Sequence, residues 1–562
     1  MKVLIVGGVA GGAGTAARLR RNDEHAEIIM FEKGPYISFA NCGLPYYIGG
    51  VITDKAKLQL QTPESFHARF DVDVRVNNEV LRVDTAAKCV EVKNLATGET
   101  YTESYDVLVL SPGASPVRPP IKGIDTAKVF TLRNIPDTYA IHDYVTEHRP
   151  KTAAVIGGGF IGVEMAENLH AAGVEVTIVE AQSHIMANLD EDMTHDLHNH
   201  IRSKGVGLCL NAAAAEFTPD SVILSNGARI PAEMIILSVG VRPETRFLEG
   251  SGIELGRRGE ILVDERLRTN VADVYAVGDA ISVRDIVTGE KKSIPLASPA
   301  NRQARLVADI IAGKDRVYTG AQGTSIAKIF DMAAASTGAS EASLKAAGIP
   351  YKKSYTFSAS HAGYYPGGHS MQVKLIYSPE GVVLGGQITG YEGVDKRIDQ
   401  IATAVRHGFT VYDLQELELS YAPPFSSAKD PVNMAGYAAS NVIEGTFKPF
   451  YIEDLAALPA DAQLVDVRTP GEFARGTIDG AVNIPVDELR ARIGELDPAR
   501  PVYIFCQVGL RGYIAERIAE QHGLTCRNLS GGYRFYEAAK LDAEGQAAAE
   551  KEYEYCGMEK QK

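Results

Sequence analysis

The chain carries the same nucleotide-binding pattern twice, and this repeat constrains its fold more than any other feature. Each copy is an apolar strand, a glycine loop, a helix and a second strand that ends in a carboxylate: loop 7–12 with Glu32, and loop 157–162 with Glu180. Glycines let the backbone approach a pyrophosphate, and the N-terminus of the following helix meets its charge. The repeat therefore predicts two Rossmann-like dinucleotide-binding domains, although Val9 replaces the middle glycine of the first loop.

Length and charge narrow the class of protein further. A chain of 562 residues exceeds one hydrophobic core, so about three or four domains are expected. A net charge of −14 disfavours a nucleic-acid or membrane-surface partner. The opening apolar run is too short for a signal peptide, and no run is long enough to cross a bilayer. The six cysteines form no C-x-x-C pair, which predicts no zinc site and reduced thiols in a cytoplasmic protein.

Cys42 lies just downstream of the first loop and of Glu32, where it can reach the flavin of a bound dinucleotide. Flavin-dependent disulfide reductases have a second cysteine in this segment, but Tyr47 stands at the corresponding place here. Cys42 would therefore be oxidised to a sulfenate or to a mixed disulfide with an incoming thiol. The alternative interpretation is an ordinary structural cysteine.

The segments that follow resemble the pyridine nucleotide-disulfide reductases through about residue 445. Ser111-Pro112-Gly113-Ala114 and the strand before Gly278-Asp279 carry the resemblance, together with the two loops. It implies FAD in a split domain (1–112 and 246–325), NAD(H) in 113–245, and an α+β dimerisation domain in 326–445. The cofactor-binding residues that it implies are Gly7, Gly8, Ala10, Gly11, Gly12, Glu32, Ser111, Gly113, Gly157, Gly159, Phe160, Gly162, Glu180, Gly278, Asp279 and Ala297.

Glu180 indicates which nicotinamide is used. A carboxylate at this strand end accepts the ribose hydroxyls and repels a 2′-phosphate. No arginine or lysine lies between Ala181 and Asn188 to bind that phosphate. The sequence therefore favours NADH over NADPH.

A subset of this family, the coenzyme A-disulfide reductases, shares the S-F-x-x-C-x-L-P-Y motif around Cys42 and the Y-A-P-P motif at Tyr421. The resemblance implies a homodimer whose active site is shared between subunits. Ala10 stands where related peroxidases have a histidine, which argues against a peroxidase. The implied coenzyme A ligands are Arg18, Arg21, Ser38 and Asn41, with Lys429 and Tyr421 from the other subunit.

The predicted dimerisation segment contains strand-like runs at Met371–Tyr377 and 382–388 and a helical run at Val394–His407. It also holds the adjacent tyrosines Tyr364 and Tyr365. Tyrosines in such loops are usually packing anchors, but the motif favours a catalytic role here. One of the pair, with Tyr421, could donate a proton to a leaving thiolate, and the sequence does not say which.

After a linker near 444–451, the segment 452–548 resembles the rhodanese domain, and we assign 446–562 to it. Cys506 ends a strand, and its loop leads to a helix N-terminus whose N–H groups stabilise a thiolate or persulfide anion. Only four residues separate Cys506 from Arg511, a loop that fits sulfur rather than phosphate. The loop interior has no cation, which disfavours thiosulfate as the donor. Thr477 replaces the family's usual histidine, and we interpret the remaining cysteines (89, 209, 526 and 556) as structural.

Both chemical centres handle sulfur, so the sequence favours an NADH-dependent persulfide reductase. Cys42 would reduce coenzyme A persulfide or a related small persulfide with electrons that NADH passes to FAD. Cys506 would carry sulfane sulfur, with Arg511 beside it. The alternatives are a coenzyme A-disulfide reductase or an NADH oxidase with an incidental rhodanese domain, and a redox sensor without turnover.

Overall fold

The computed structural model describes residues 1–126 and 128–559, with side chains through residue 551. The last three residues of the predicted rhodanese segment 446–562 lie outside this description. The chain forms two compact units: Met1–Gln182 with Cys209–Gly323, and Ser183–Leu208 with Thr324–Glu552. Among the described helices, none combines the length and the apolar character that crossing a membrane requires.

The first unit contains a parallel five-stranded sheet built around the amino-terminal strand. Its continuous apolar run is buried on both faces, as expected for a central parallel strand. The strands in spatial order are Val274–Ala276, Val107–Leu110, Lys2–Val6, Glu27–Glu32 and Asp73–Val76. The helices of this part are Ala10–Asn22, Leu44–Ile48, Pro63–Phe70 and Ala297–Ile311, and an antiparallel sheet is formed by Asn78–Asp84, Cys89–Asn94 and Thr100–Ser104.

A second parallel sheet repeats this arrangement within the same unit. Four of its five strands are, in order, Glu175–Val179, Thr152–Ile156, Met234–Leu237 and Val129–Phe130. The helix Phe160–Ala171 follows its glycine loop as Ala10–Asn22 follows the first. Smaller strands complete the unit: Ala114–Pro116 with Val241–Pro243, Ala214–Phe217 with Ser221–Leu224 and Arg229–Pro231, and Ile261–Leu262 with Ile281–Arg284 and Lys291–Lys292; the remaining long helix is Ile135–His148.

The second unit begins with an antiparallel five-stranded sheet. Its strands in order are Ser325–Ile329, Met332–Gly338, Val383–Gly390, Ser370–Tyr377 and Lys352–Ala359. The accompanying helices are His195–Ser203, Glu341–Ala347, Val394–His407, Val411–Glu416 and Pro431–Ile443. The strands predicted at Met371–Tyr377 and 382–388 are both present, and their ends differ from the prediction by at most two residues. The helix predicted at Val394–His407 matches at both ends.

A parallel five-stranded sheet follows in the same unit. Its strands in order are Pro449–Phe450, Cys526–Leu529, Val502–Phe505, Gln463–Asp466 and Val482–Asn483, so the predicted linker includes an edge strand. The helices are Pro470–Arg475, Val486–Arg492, Leu510–Gln521 and Gly532–Glu559. Val502–Phe505 ends immediately before Cys506, one residue short of the predicted strand end.

The long carboxy-terminal helix is attached to the short helix His195–Ser203 through Asp542. One carboxylate oxygen of Asp542 lies 2.7 Å from His195 Nδ1 and 2.8 Å from His198 Nδ1, and the other lies 2.6 Å from Arg202. His198 Nε2 accepts the backbone N–H of Ile185, so its Nδ1 carries the proton and donates to Asp542. Burial opposes ionisation of Asp542, but these donors hold its pKa well below the usual range.

Candidate active site

The first glycine loop makes close backbone contacts that only glycine allows. Gly7 has φ +99°, and a Cβ on it would lie 2.0 Å from the carbonyl oxygen of Ser111. The Glu32 carboxylate accepts hydrogen bonds from the N–H groups of Gly8 (2.9 Å) and Gly34 (2.8 Å). Burial raises the pKa of Glu32, while these two N–H groups lower it. The predicted acid therefore lies directly at the loop.

The second loop has the same geometry. Gly157 has φ +104°, and Glu180 accepts from the N–H groups of Gly158 (2.7 Å) and Gln182 (2.8 Å). A Cβ on Gly159 would meet no heavy atom within 4 Å, so this loop faces open space. No side chain caps the helix that begins at Phe160, so its first N–H groups are available to an anion.

These features fit the two dinucleotides predicted from the sequence. Asp279 follows the strand Val274–Ala276, so it lies at the carboxyl end of the first sheet. The preceding residue, Gly278, donates its N–H to Gln303 at 2.8 Å. The Asp279 carboxylate lies 3.3 Å from the guanidinium of Arg133. Sequence analysis missed Arg133, because no motif links it to residues almost 150 positions away. Ala297 begins the helix that contains Gln303.

Cys42 lies in a short helical turn, Asn41–Gly43, that continues into the helix Leu44–Ile48. The backbone N–H of Ser38, a residue with φ +45°, donates to Gly8 O at 2.9 Å, which joins this segment to the first nucleotide loop. Cys42 is exposed, and no disulfide forms among the described cysteines. The segment therefore presents a single exposed thiol next to the first loop.

Partial burial and nearby charged groups raise the pKa of the Cys42 thiol. Partial burial raises the pKa of its thiol first, Glu164 and Asp279 raise it further, and Arg133 lowers it. Burial raises the pKa of Glu164 to about 7, and Tyr46 donates a hydrogen bond to its carboxylate. Burial and Glu164 together raise the pKa of Tyr46 to about 12, so this phenol keeps its proton. Glu164 is the group near Cys42 whose charge changes around neutral pH.

The predicted coenzyme A ligands differ in how firmly they are held. Arg18 pairs with Asp309 through two hydrogen bonds of 2.8 and 3.1 Å, whereas Arg21 is exposed one helical turn further along. With its amide oriented to suit its neighbours, Asn41 donates to Arg133 O at 2.9 Å and accepts from Arg133 Nη1 at 3.3 Å. Asn41 therefore helps to position Arg133.

The second unit brings two of the predicted tyrosines together. The hydroxyl groups of Tyr364 and Tyr421 lie 2.6 Å apart, and both side chains are exposed. Tyr365 instead packs edge-on against His361, with ring centroids 5.5 Å apart. The hydrogen bond to Tyr421 raises the pKa of Tyr364. Of the adjacent pair, only Tyr364 contacts the second predicted tyrosine.

A buried arginine explains why these two loops meet. Arg397 is 1% exposed, and its guanidinium contacts Ser360 O (3.0 Å) in one loop and Ser426 Oγ (3.1 Å) and Asp430 (3.0 Å) in the other. Removing one partner of such a buried ion pair costs about 3–5 kcal/mol. Lys429, next to Asp430, remains exposed. The sequence alone did not reveal this support, because a lone arginine on a helix carries no motif.

Cys506 lies in a loop that binds its sulfur. The backbone N–H of Gly509 donates to Cys506 Sγ at 3.1 Å, and Gly509, with φ +110°, caps the helix Leu510–Gln521. Asn528 Nδ2 donates to the carbonyl oxygen of the same residue, Gly509 O, at 3.1 Å and so helps to fix its backbone. The Cys506 side chain is buried. This geometry suits an anionic sulfur at a helix N-terminus.

Two arginines near this loop, Arg511 and Arg468, are engaged with carboxylates. Arg511 makes two hydrogen bonds to Glu472, and Arg468 pairs with Asp466 at 2.7 Å. A cavity of about 200 Å³ opens beside Gln507, the residue after Cys506. The cavity is lined by Arg468, Glu472, Arg475, Gly476, Gln507, Tyr533 and Glu537. Thr477 binds Asp466 at 2.9 Å, a structural position as predicted.

Comparison with known proteins agrees with this arrangement of two dinucleotide loops and two cysteine sites. Residues 1–304 match the family described as pyridine nucleotide-disulphide oxidoreductase, residues 324–431 match its dimerisation domain, and residues 452–539 match the rhodanese-like domain. The chain belongs to the pyridine nucleotide-disulphide oxidoreductase family, whose members use FAD and NAD(H). The predicted fold class, two interleaved Rossmann-like domains with a dimerisation and a rhodanese domain, is confirmed.

Individual relatives cover most or all of the chain. Coenzyme A disulfide reductase from Staphylococcus aureus (strain bovine RF122 / ET3-1) is 37% identical over 78% of this chain and 99% of its own length. The crystal structure of reduced Bacillus anthracis CoADR-RHD is 49% identical, covers 96% of this chain and 98% of its own, and superposes with a TM-score of 0.94. An NAD-dependent persulfide reductase from A. fulgidus is 33% identical over 95% and 100%, with a TM-score of 0.90.

Proposed function

We propose that this chain reduces persulfides with NADH and releases sulfide, with coenzyme A persulfide as the favoured substrate. The observation that carries the proposal is the pair of sulfur sites: an exposed lone Cys42 beside a dinucleotide loop, and Cys506 with its sulfur bound at a helix N-terminus. Relatives named as coenzyme A disulfide reductase and persulfide reductase support it. A simple coenzyme A-disulfide reductase needs no second sulfur site.

The site residues are proposed in the following roles. FAD would lie in 1–112 and 246–325 against the loop 7–12, and NADH in 113–245 against the loop 157–162. Bound FAD supplies the two-electron path from NADH to Cys42. The Cys42 thiolate attacks the coenzyme A-bound sulfur of the persulfide, the S–S bond breaks, and hydrosulfide leaves. Two electrons and one proton then convert the Cys42–coenzyme A disulfide back to the thiolate and free coenzyme A.

The dimerisation segment 326–445 is proposed to complete this site in a homodimer. Tyr364 and Tyr421, hydrogen bonded to each other, would donate the proton to the departing thiolate of the partner's substrate. Lys429 and Arg21, both exposed, would bind the phosphates of coenzyme A, with Arg18, Ser38 and Asn41 around them. The reduced Cys42 thiol that this chemistry needs suits the cytoplasm.

The rhodanese segment 446–562 is proposed to deliver sulfur. Cys506 would accept sulfane sulfur from a polysulfide or donor persulfide and pass it to a thiol acceptor. The N–H of Gly509, now 3.1 Å from Sγ, is available to stabilise the negative sulfur. Arg511 would add positive electrostatic potential at the loop, and its ion pair with Glu472 makes this contribution smaller.

Two cysteine variants test the proposal. Cys42→Ser should still oxidise NADH to load the flavin but release no sulfide, because serine forms neither a thiolate nor a disulfide at neutral pH. Cys506→Ser should abolish sulfur transfer to thiols and slow turnover of bulky polysulfides, yet spare a small persulfide. Cys89→Ser, in a strand away from both motifs, is the matched control. Sulfide release and NADH consumption are measured anaerobically with each donor.

The alternatives give different results in the same assay. Turnover with coenzyme A disulfide but not with polysulfide or coenzyme A persulfide would identify a disulfide reductase. NADH consumption with oxygen alone would identify an oxidase. Flavin reduction without turnover of any acceptor would identify a sensor.

A further inference from the structure

Behind the Cys506 loop lies a carboxyl group that none of the proposed steps uses. Glu516 is on the helix Leu510–Gln521 and is fully buried. One of its oxygens accepts the backbone N–H of Lys448 at 2.7 Å. The other has no hydrogen-bond partner among the described residues. A buried carboxyl oxygen without a donor is costly, so this oxygen calls for an explanation.

The side chain of Asn528 also has a buried oxygen without a hydrogen-bond donor. It is fully buried, and its Nδ2 donates to Gly509 O, but its Oδ1 has no partner among the described residues. Asn528 Oδ1 lies over Gly512, where an added Cβ would come within 2.2 Å. Gly512 and Glu516 are four residues apart and therefore share one face of the helix.

The peptide of Lys448 ties the two residues to one place. Its N–H donates to Glu516 Oε1, and its carbonyl oxygen accepts the N–H of Asn528 at 3.1 Å. The two residues that carry buried oxygens without donors are thus both bonded to the backbone of Lys448. Both oxygens are hydrogen-bond acceptors, so neither can donate to the other. A proton on Glu516 supplies the missing donor.

We propose that Glu516 is a positioning residue for Cys506: kept protonated, it satisfies the Asn528 amide, which in turn fixes Gly509, the residue whose N–H binds the sulfur. The inference rests on the proposed role of Cys506 as the sulfur carrier. Burial raises the pKa of Glu516 to about 8, so the carboxyl is neutral at physiological pH. Above that pH the carboxylate has no proton to donate, and the support of Gly509 weakens.

Other ionisable groups near Glu516 modify this behaviour without replacing it. Glu520 raises its pKa, and Arg517 and Lys448 lower it. Cys526 on the adjacent strand stays a thiol, because burial and then Glu516 raise its pKa. Glu520 itself is paired with Lys448 and Arg517, so its charge is already compensated.

The test compares Glu516→Gln with Glu516→Met in the full-length chain. Glutamine keeps an acceptor and adds a permanent donor, so it should transfer sulfur like the wild type at pH 7. Methionine has a similar volume but offers neither a hydrogen-bond acceptor nor a donor. Sulfur transfer should therefore fall about tenfold, the usual effect of losing a buried hydrogen bond. Cys506 is loaded with polysulfide, and thiocyanate released by cyanide is measured from pH 6 to 9.5.

The pH profile separates positioning from simple packing. Sulfur transfer by the wild type should decline above pH 8, whereas transfer by Glu516→Gln should not. The control variant Glu520→Gln should show the same decline as the wild type. Wild-type thermal stability should also fall between pH 5 and 8 relative to Glu516→Gln. The sign follows because the unfolded chain releases this proton near pH 4 while the folded protein holds it until about pH 8.

Two results would overturn the inference: a Glu516→Gln variant as impaired as Glu516→Met, or parallel pH profiles for wild type and Glu516→Gln. If Glu516→Met does not fold, the profile of Glu516→Gln alone decides. Failure of the wild type to release any thiocyanate would instead refute the sulfur-carrier role of Cys506.

Discussion

Arg511 and Glu472 face each other through two parallel hydrogen bonds, Nη1–Oε2 at 2.8 Å and Nη2–Oε1 at 2.7 Å. The hydrogen bonds from Arg511 hold the pKa of Glu472 well below its usual range, so the pair is charged at any physiological pH. The positive charge of Arg511 is therefore largely neutralised. This pairing leaves little free positive charge on Arg511 to attract thiosulfate.

Glu472→Gln should make the site more accepting of anionic donors. Glutamine retains the capping arrangement with Thr469 but leaves the Arg511 charge uncompensated. The KM for thiosulfate should fall about threefold, a typical effect for a partly exposed ion pair, while that for a neutral trisulfide stays the same. Thiocyanate formation with each donor measures this. An equal change for both donors would show that charge is not the cause.

The contact between Tyr364 and Tyr421 predicts unequal roles for the adjacent tyrosines. Tyr364→Phe and Tyr421→Phe should each lower kcat for persulfide reduction about a hundredfold or more, because proton donation in the transition state is typically worth about 10²–10⁴-fold. The double variant should be little worse than either single one, since the hydroxyls act as a pair. Tyr365→Phe is the matched control and should behave like the wild type.

The dimer arrangement can be checked with the same variants. If the tyrosines act across subunits, mixing Tyr364→Phe with Cys42→Ser chains should restore part of the activity, because one of the two sites in a mixed dimer is intact. Sedimentation confirms the mixed dimer. No recovery in a proven mixed dimer would place all groups of one site in one chain.

Glu180 predicts the nicotinamide preference. Glu180→Ala should raise the KM for NADH about tenfold and leave that for NADPH nearly unchanged, because only NADH offers two ribose hydroxyls to the carboxylate. The flavin content should be unaffected, since Glu32 serves the other loop. Initial rates with both nicotinamides test this prediction. Equal loss for both would indicate that Glu180 only braces Gly158 and Gln182.

Glu164 predicts the pH dependence of Cys42. Its negative charge raises the pKa of the Cys42 thiol, so Glu164→Gln should lower that pKa and shift the acidic limb of thiolate reactivity down by about half a pH unit to one unit. The rate of Cys42 alkylation against pH measures the shift. Glu147→Gln, exposed on another helix, is the control. An unchanged or upward shift would contradict the prediction.

The sequence predicted the elements whose signals are local. Gly7 and Gly157 adopt the positive φ angles that their motifs require, and each follows a buried strand. The helix Val394–His407 has the predicted ends because Gly408 in the left-handed region stops it. The placement of Cys506 after a strand and before a helix was likewise visible, because apolar runs and glycines lie next to it.

What sequence reasoning missed depends on pairs of residues far apart in the chain. Arg18 is held by Asp309, 291 residues away, and Arg511 by Glu472. Arg397 joins two loops that carry motifs but carries none itself. A charged residue has no sequence pattern that reveals its partner, because the pairing arises only when the chain folds.

The attachment of the last helix to His195 and His198 also affects the order in which the molecule is built. Asp542 reaches residues made about 340 positions earlier, and Asn199 donates to Ala538 O at 2.9 Å. On a ribosome, which releases the chain from its amino terminus, the helix His195–Ser203 must wait for almost the whole protein to be synthesised before it finds this partner. A chain that stops short of Asp542 leaves two histidines and an arginine without their acceptor. Incomplete chains would therefore differ from the full-length protein in having these polar groups unpaired with Asp542.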